Sequence, residues 1–507
     1  ALNPEPCKQI LRFLTLSHLP AIPGLPQAPD PDAKKYCEAI ACDAMKMVMT
    51  AARKGIVGAD GGTLWREVVS AVITLVADPR FNVDCRAQLV FGIGQVLSVL
   101  DNWAELEQML GIFVSRMEEP LAPILAGLPA EPLGSRAPKT TRDGKAPLEL
   151  KLYIAAVSSV YNMPPHPDPI NKPDHHPVLN VVEKHFATIE RVCIHHTQYE
   201  ELMEQVCLAF SYILGFARDY APSSPVFVPM MKLMARCCEQ HPQPFYMGLI
   251  RSVIGFFAAA GSDEFDLILV DLTGLFITPV ARHLNGAGAG PSLPPPINTA
   301  AYEMLGEALR HWNLALLSIR SAQWLPDTFD ATIEALPRLV EENQAIHEKT
   351  ACAMMRFIRN VLLWADPETC KRESTPELLE LQKHAQALVT ERPLPRGTAL
   401  QRIILALGRL LAAAAPYGPS KGDVVPSTAE VLRTLFIGPF EYIASAGLPA
   451  ALRALPAPLG EALGESEQQR LIQQLKMEKG DNRRFVRTIV WVAEQFAICL
   501  KKAQFGG

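Results

Sequence analysis

Apolar residues recur at spacings of three and four from one end of this chain to the other, in runs broken by proline. In "HPVLNVVEKHFATIERVCIHH", Val178, Val182, Phe186, Ile189 and Cys193 fall on one stripe. In "QYEELMEQVCLAFSYILGFARDY", the stripe is Leu202, Val206, Ala209, Ile213 and Phe216. This is helical periodicity, and the short link between the two runs predicts antiparallel packing. Breaks fall at Asp78-Pro79, near Asp101, at Pro222–Pro225, at His241-Pro242, near Gly261, at Leu325-Pro326, at Asp366-Pro367 and at Glu391–Pro395. Proline stops a helix because it lacks an N–H and restrains the residue before it.

Two helices and their breaks take about 40 to 47 residues, a HEAT-type period, so 507 residues hold roughly ten pairs. The expected fold is all-α, an α-solenoid of antiparallel helix pairs, with almost no alternating strand pattern. Residues 81–505 form the solenoid, and residues 1–80 are helical repeats with a weaker pattern, fraying before residue 33. Three Pro-, Gly- or polar-rich stretches read as loops projecting from the stack: 127–147, 164–177 and 285–298. At 49% hydrophobic and 20% charged residues the chain builds cores. A net charge of −5 argues against a phosphate-tracking surface, so no direct nucleic-acid contact is expected. Eleven scattered cysteines without a Cys-x-x-Cys read as reduced, mostly buried thiols. No leader is legible at the start, and no uninterrupted apolar run reaches about 18 residues, so no membrane span is expected.

The stretch "ACAMMRFIRNVLLWAD" is apolar nearly all round yet carries Arg356 and Arg359 one turn apart. Stacked pairs cover a middle helix on several sides and leave it a narrow polar edge. Arginines on that edge either brace neighbouring helices or meet a partner. Candidate braces are Asp330, Glu341, Glu342, Glu377 and Glu380.

Catalytic and metal chemistry find little footing. His166, His175, His176, His185, His195 and His196 cluster in sequence, but not at ligand spacing, and no metal or cofactor is expected. "NGAGAGPS" lacks the strand a phosphate loop needs. Gly92 and Gly94 lie inside a helical pattern and read as close helix packing. No Walker lysine, Gly-x-Ser-x-Gly or His-Glu-x-x-His occurs, so no enzyme activity is expected. Glu200, Glu201 and Glu204 make an acidic helix edge, either solvated or facing a basic partner.

Residues 176–258, "HPVLNVVEKHF…SVIGFFA", resemble the late HEAT repeats of the importin-β superfamily, closest to its transportin-SR and importin-thirteen branch. "ACAMMRFIRNVLLW" and the closing "GDNRRFVRTIVWVAEQFAICLKK" are similar to the same branch, and the likeness runs from about residue 80 to 505. The resemblance implies a nuclear transport receptor that shuttles between nucleus and cytoplasm. Protein cargo would lie on a concave face built by the second helix of each pair, with Ran-GTP and nucleoporins as partners. The family's chains are much longer, and their N-terminal arch, which carries the main Ran contacts, is not in this sequence. An arginine-rich helix reads phosphorylated Arg-Ser segments in transportin-SR. The matching positions here are Glu201, Gln205, Leu208, Ser211 and Gly215, none of them basic. That departure favours folded-protein cargo. Partner-binding candidates are therefore Glu200, Glu201, Glu204, Gln205, Arg356, Arg359, Arg483, Arg484 and Arg487. A HEAT scaffold holding a complex together, with no transport role, is the other reading.

Overall fold

The computed structural model describes residues 31–58, 62–78, 83–126, 146–160, 163, 174–258, 263–285, 294–311, 324–368, 376–391, 393–394, 397–417 and 422–505. Nearly all of them are helical. The one strand pairing among them is an antiparallel ladder joining Pro393 to Thr398 and Leu394 to Gly397. The chain divides into two compact units, Ala1–Phe256 and Phe257–Gly507. Pro31–Ala51 packs on Val83–Leu97 across residue 80.

In the first unit alternate helices form two rows. One row is Pro31–Ala51, Val83–Leu97, Leu148–Val157, Glu200–Phe216 and Pro244–Phe257. The other is Leu64–Ala77, Trp103–Glu118, the segment Pro177–Lys184 with Phe186–His195, and Phe227–Gln240. Arg53 Nη1 donates to Gln95 Oε1 at 2.6 Å, 42 residues on. Arg66 reaches Glu105, 39 residues on, and Gln243 reaches Glu200, 43 residues back. These intervals lie at or near the expected period. The interval rises to 73 and 77 where Asn180 and Lys184 both meet Glu107, across the stretches 127–147 and 164–177, most of which lie outside the described residues. Both glycines of "FGIG" sit where helices nearly touch: a Cβ on Gly92 would lie 2.9 Å from Met49 Sδ, and one on Gly94 only 1.8 Å from the Ser159 carbonyl oxygen.

One helix was expected over 176–196, but it breaks at His185 (φ −102°, ψ 5°). There the imidazole Nδ1 lies 2.6 Å from Glu118 Oε2, and the Tyr153 hydroxyl donates to the His185 carbonyl at 3.4 Å. These two partners come from neighbouring helices and outweigh continuation of the helix.

The second unit repeats the plan in a longer register. Trp324–Trp364 is a single helical run of 41 residues, yet the Phe329 and Phe357 rings lie 6.4 Å apart. A straight helix would separate them by about 42 Å, so the run doubles back between them. Its later arm lies parallel to Pro295–Arg310: Thr350 meets Thr299 at 2.7 Å, Asn360 Nδ2 donates to the Gly306 carbonyl at 2.7 Å, and Trp364 Nε1 donates to the Leu309 carbonyl. On its other side the same arm meets Val424–Ile437, with Thr428 donating to Met355 Sδ at 3.4 Å. The earlier arm lies beside Ala399–Ala414, where Arg402 Nη2 meets Glu334 Oε1 at 2.7 Å. Intervals of 51 to 55, 68 and 73 exceed the expected 40 to 47. The added helix Pro376–Thr390 accounts for part of this excess.

Helix Pro295–Arg310 starts inside the stretch 285–298 that was expected to loop. Proline in a first helical turn loses no hydrogen bond and already has a helical φ. For the same reason Pro326 begins a helix rather than marking a break. Among the described residues one helix, Phe265–Leu284, is long and apolar enough to cross a membrane by length and composition, and half of that segment is buried. Asp271 interrupts its apolar run. Eight described cysteines are free thiols and six are buried. Burial pushes Cys237 and Cys238 up to about 12.

Candidate partner-binding grooves

On Glu200–Phe216 the buried stripe is Leu202, Val206, Ala209 and Ile213. Beside it run Glu201, Gln205, Leu208 and Tyr212, spaced four, three and four apart, and therefore on one face. They border a groove of about 520 Å³ with Phe91 of Val83–Leu97 and Lys151, Leu152 and Ala155 of Leu148–Val157. Three successive helices of one row thus supply one surface. Phe91, Leu208 and Tyr212 are 37%, 47% and 57% exposed, so an apolar, partly aromatic strip faces solvent. Lys151 pairs with Glu201 at its edge, and Lys46 lies 5.6 Å from the Phe91 ring centre.

This splits the acidic trio. Glu201 already has a cation. Glu200 points to the next helix pair, where Gln243 donates to it. Glu204 is exposed and carries no ion pair among the described residues. Glu201 and Gln205 reach the groove, but its exposed surface is apolar rather than acidic. Leu208 and Tyr212 were legible as apolar residues off the core stripe. Phe91 was not, because only the fold brings its helix alongside.

Arg484, Arg487 and Trp491, three and four apart on Asn482–Phe505, face Glu467, Arg470 and Gln474 of Glu465–Glu478 across a second groove of about 620 Å³. Trp491 is 39% exposed. Arg484 lies 3.4 Å from Asp481. The Asp481 carboxylate caps the helix by accepting from the backbone N–H groups of Arg484 and Arg483, which hold it below the usual carboxylate range. Arg483 is exposed outside the groove lining.

Arg356 is exposed, and Arg359 is half-buried. Arg359 Nη1 lies 3.8 Å from Glu430 Oε2 on Val424–Ile437, a partner absent from the expected set. The side chains of Glu341 and Glu342 lie outside the described residues.

Of the clustered histidines, His166 lies outside the described residues. His176 caps Pro177–Lys184 by accepting from the Val178 N–H at 3.3 Å, with its ring 4.9 Å from that of Trp103. His196 is buried with neither ring nitrogen hydrogen-bonded. Burial depresses both to about 4. No group of three or more metal-ligating side chains occurs among the described residues.

Rows of like-directed helices with exposed grooves between them define an all-α helical-repeat protein of the solenoid class. Among solved structures the chain is similar to that titled "Importin13 cytosolic state", at a TM-score of 0.56 and 13% identity, over 98% of this chain and 52% of the other. The chain therefore spans about half the length of that structure. A structure concerned with the interaction between cadherin and β-catenin (TM-score 0.26, 11% identity, 98% of this chain and 96% of that one) and one of SYS-1 (0.30, 12%, 99% and 80%) are more distant. No protein-family model and no curated protein matches the chain.

Proposed function

We propose that the chain is a protein-binding part of a nuclear transport receptor, acting by recognition and not by catalysis, and shuttling between nucleus and cytoplasm. The observation that carries the binding role is the groove of Phe91, Leu208 and Tyr212. Monomeric surfaces seldom expose aligned aromatic and aliphatic side chains without a use for them, and aromatic anchors dominate protein interfaces. Three successive helices of one row supply this groove, and the family resemblance puts folded cargo on a face built by one helix of each pair. The likeness to an importin-13 structure supports the transport setting.

Fluorescent chain added to permeabilised cells is expected to collect at the nuclear rim through nucleoporins. Uniform staining would overturn the transport role in favour of a scaffold. Tyr212→Ala with Leu208→Ala should then decide whether this groove holds the partner: binding unchanged in that variant would remove the groove from the account.

A further inference from the structure

We propose that the second unit carries a separate, basic docking groove for an acidic segment of a protein partner, built by Arg338, Arg402 and Arg409 around Glu334. The groove lies between the earlier arm of Trp324–Trp364 and Ala399–Ala414 and encloses about 360 Å³. Arg402 and Arg409 stand two turns apart on one helix face, and Glu334 and Arg338 one turn apart on the other. Among the described residues Glu334 is the sole carboxylate lining it, and it is committed to Arg402 at 2.7 Å. Arg338 and Arg409 are exposed and make no ion pair among the described residues. Among the described lining residues, three guanidinium groups against one carboxylate leave a local surplus of positive charge on a chain whose net charge is −5. The floor is apolar, with Ile333 buried and Leu405 half-buried.

Guanidinium forks match carboxylates two bonds at a time. Two free forks flanking an apolar floor therefore suit a segment with a leucine-type side chain between glutamates or aspartates. Charge complementarity chooses this occupant over a basic or purely apolar one. The ion pair of Arg402 with Glu334 ties the two walls together and spaces the free forks. This groove needs no transport role, and its test is separate from that at the nuclear rim.

The probe is a fluorescein-labelled twelve-residue peptide of glutamates and leucines, titrated into the full chain. Its glutamine counterpart and a single-stranded oligonucleotide of similar charge are the comparisons. The acidic peptide is expected to bind, more weakly as salt rises, and at least tenfold tighter than either comparison. Arg338→Glu with Arg409→Glu should lower its affinity tenfold or more, and the milder Arg338→Gln with Arg409→Gln several-fold. Neither arginine makes an internal ion pair, so folding should survive, checked by circular dichroism. Lys232→Glu, an exposed charge in the first unit, should change nothing. Equal affinity for the oligonucleotide, or an acidic-peptide affinity that the double variants leave intact, would overturn the proposal.

Discussion

Two buried imidazoles make the first unit sensitive to acid. In an unfolded chain each histidine takes a proton near pH 6.5, but in this fold His176 and His196 hold out to about 4. The unfolded state therefore binds more protons between those values, and stability must fall as pH drops through that window. At pH 5.5 the loss is on the order of 1 kcal/mol for each. Denaturant titration should show His196→Phe less acid-sensitive than the parent, and an unchanged pH slope would contradict the assignment. Glycines offer a second test at this scale. Gly94→Ala drives a methyl into the Ser159 carbonyl and should destabilise by about 1–3 kcal/mol. Gly111→Ala meets nothing within 4 Å and should stabilise its helix by roughly 0.5–1 kcal/mol. The close packing at Gly94 was legible from two small residues inside an apolar helix. The partner of Arg359 was not: Glu430 belongs to a helix that only the longer register of the second unit brings alongside, and no local pattern records which helices become neighbours.

Helices here are held less by their ends than by their neighbours. Pro295–Arg310 and the later arm of Trp324–Trp364 are tied by side chains of one helix bonding to backbone carbonyls of the other. Asn360→Ala removes such a bond and leaves the Gly306 carbonyl without it, so melting should show a cost of about 1 kcal/mol. Arg356→Ala, at an exposed position with no ion pair, should stay within about 0.5 kcal/mol. A larger effect at Arg356 than at Asn360 would mean that the arginines brace the stack after all. Helical identity was legible nearly everywhere, because three-and-four spacing survives any tertiary arrangement. Element boundaries were less so. The break at His185 depends on Glu118 and Tyr153, which are distant in sequence, and the reversal inside Trp324–Trp364 occurs in good helix formers with only Pro337 to mark it. The apolar groove was half legible: Leu208 and Tyr212 lie off their core stripe, but nothing local brings Phe91 to them.

Across the chain, each unit has its own buried core, from Val68 and Phe113 to Phe210 in the first and from Phe276 and Phe357 to Phe436 in the second. Residues 263–505 expressed alone should therefore stay helical and melt cooperatively. A non-cooperative transition would show that the second core is incomplete by itself. The all-α repeat class was legible from period alone, whereas the two-unit division was not, since helix pairs look alike in sequence on both sides of it. The rows of like-directed helices also limit how such a chain can vary in length. Removing a whole pair, such as the residues from Met49 to Phe91, would bring one member of a row against the next with direction preserved. Removing a single helix would reverse every later helix relative to its row and set arginines, carboxylates and small residues against the wrong faces. Duplication and loss should therefore proceed two helices at a time, while the stretches 127–147 and 164–177 can grow or shrink by any number of residues without disturbing that parity.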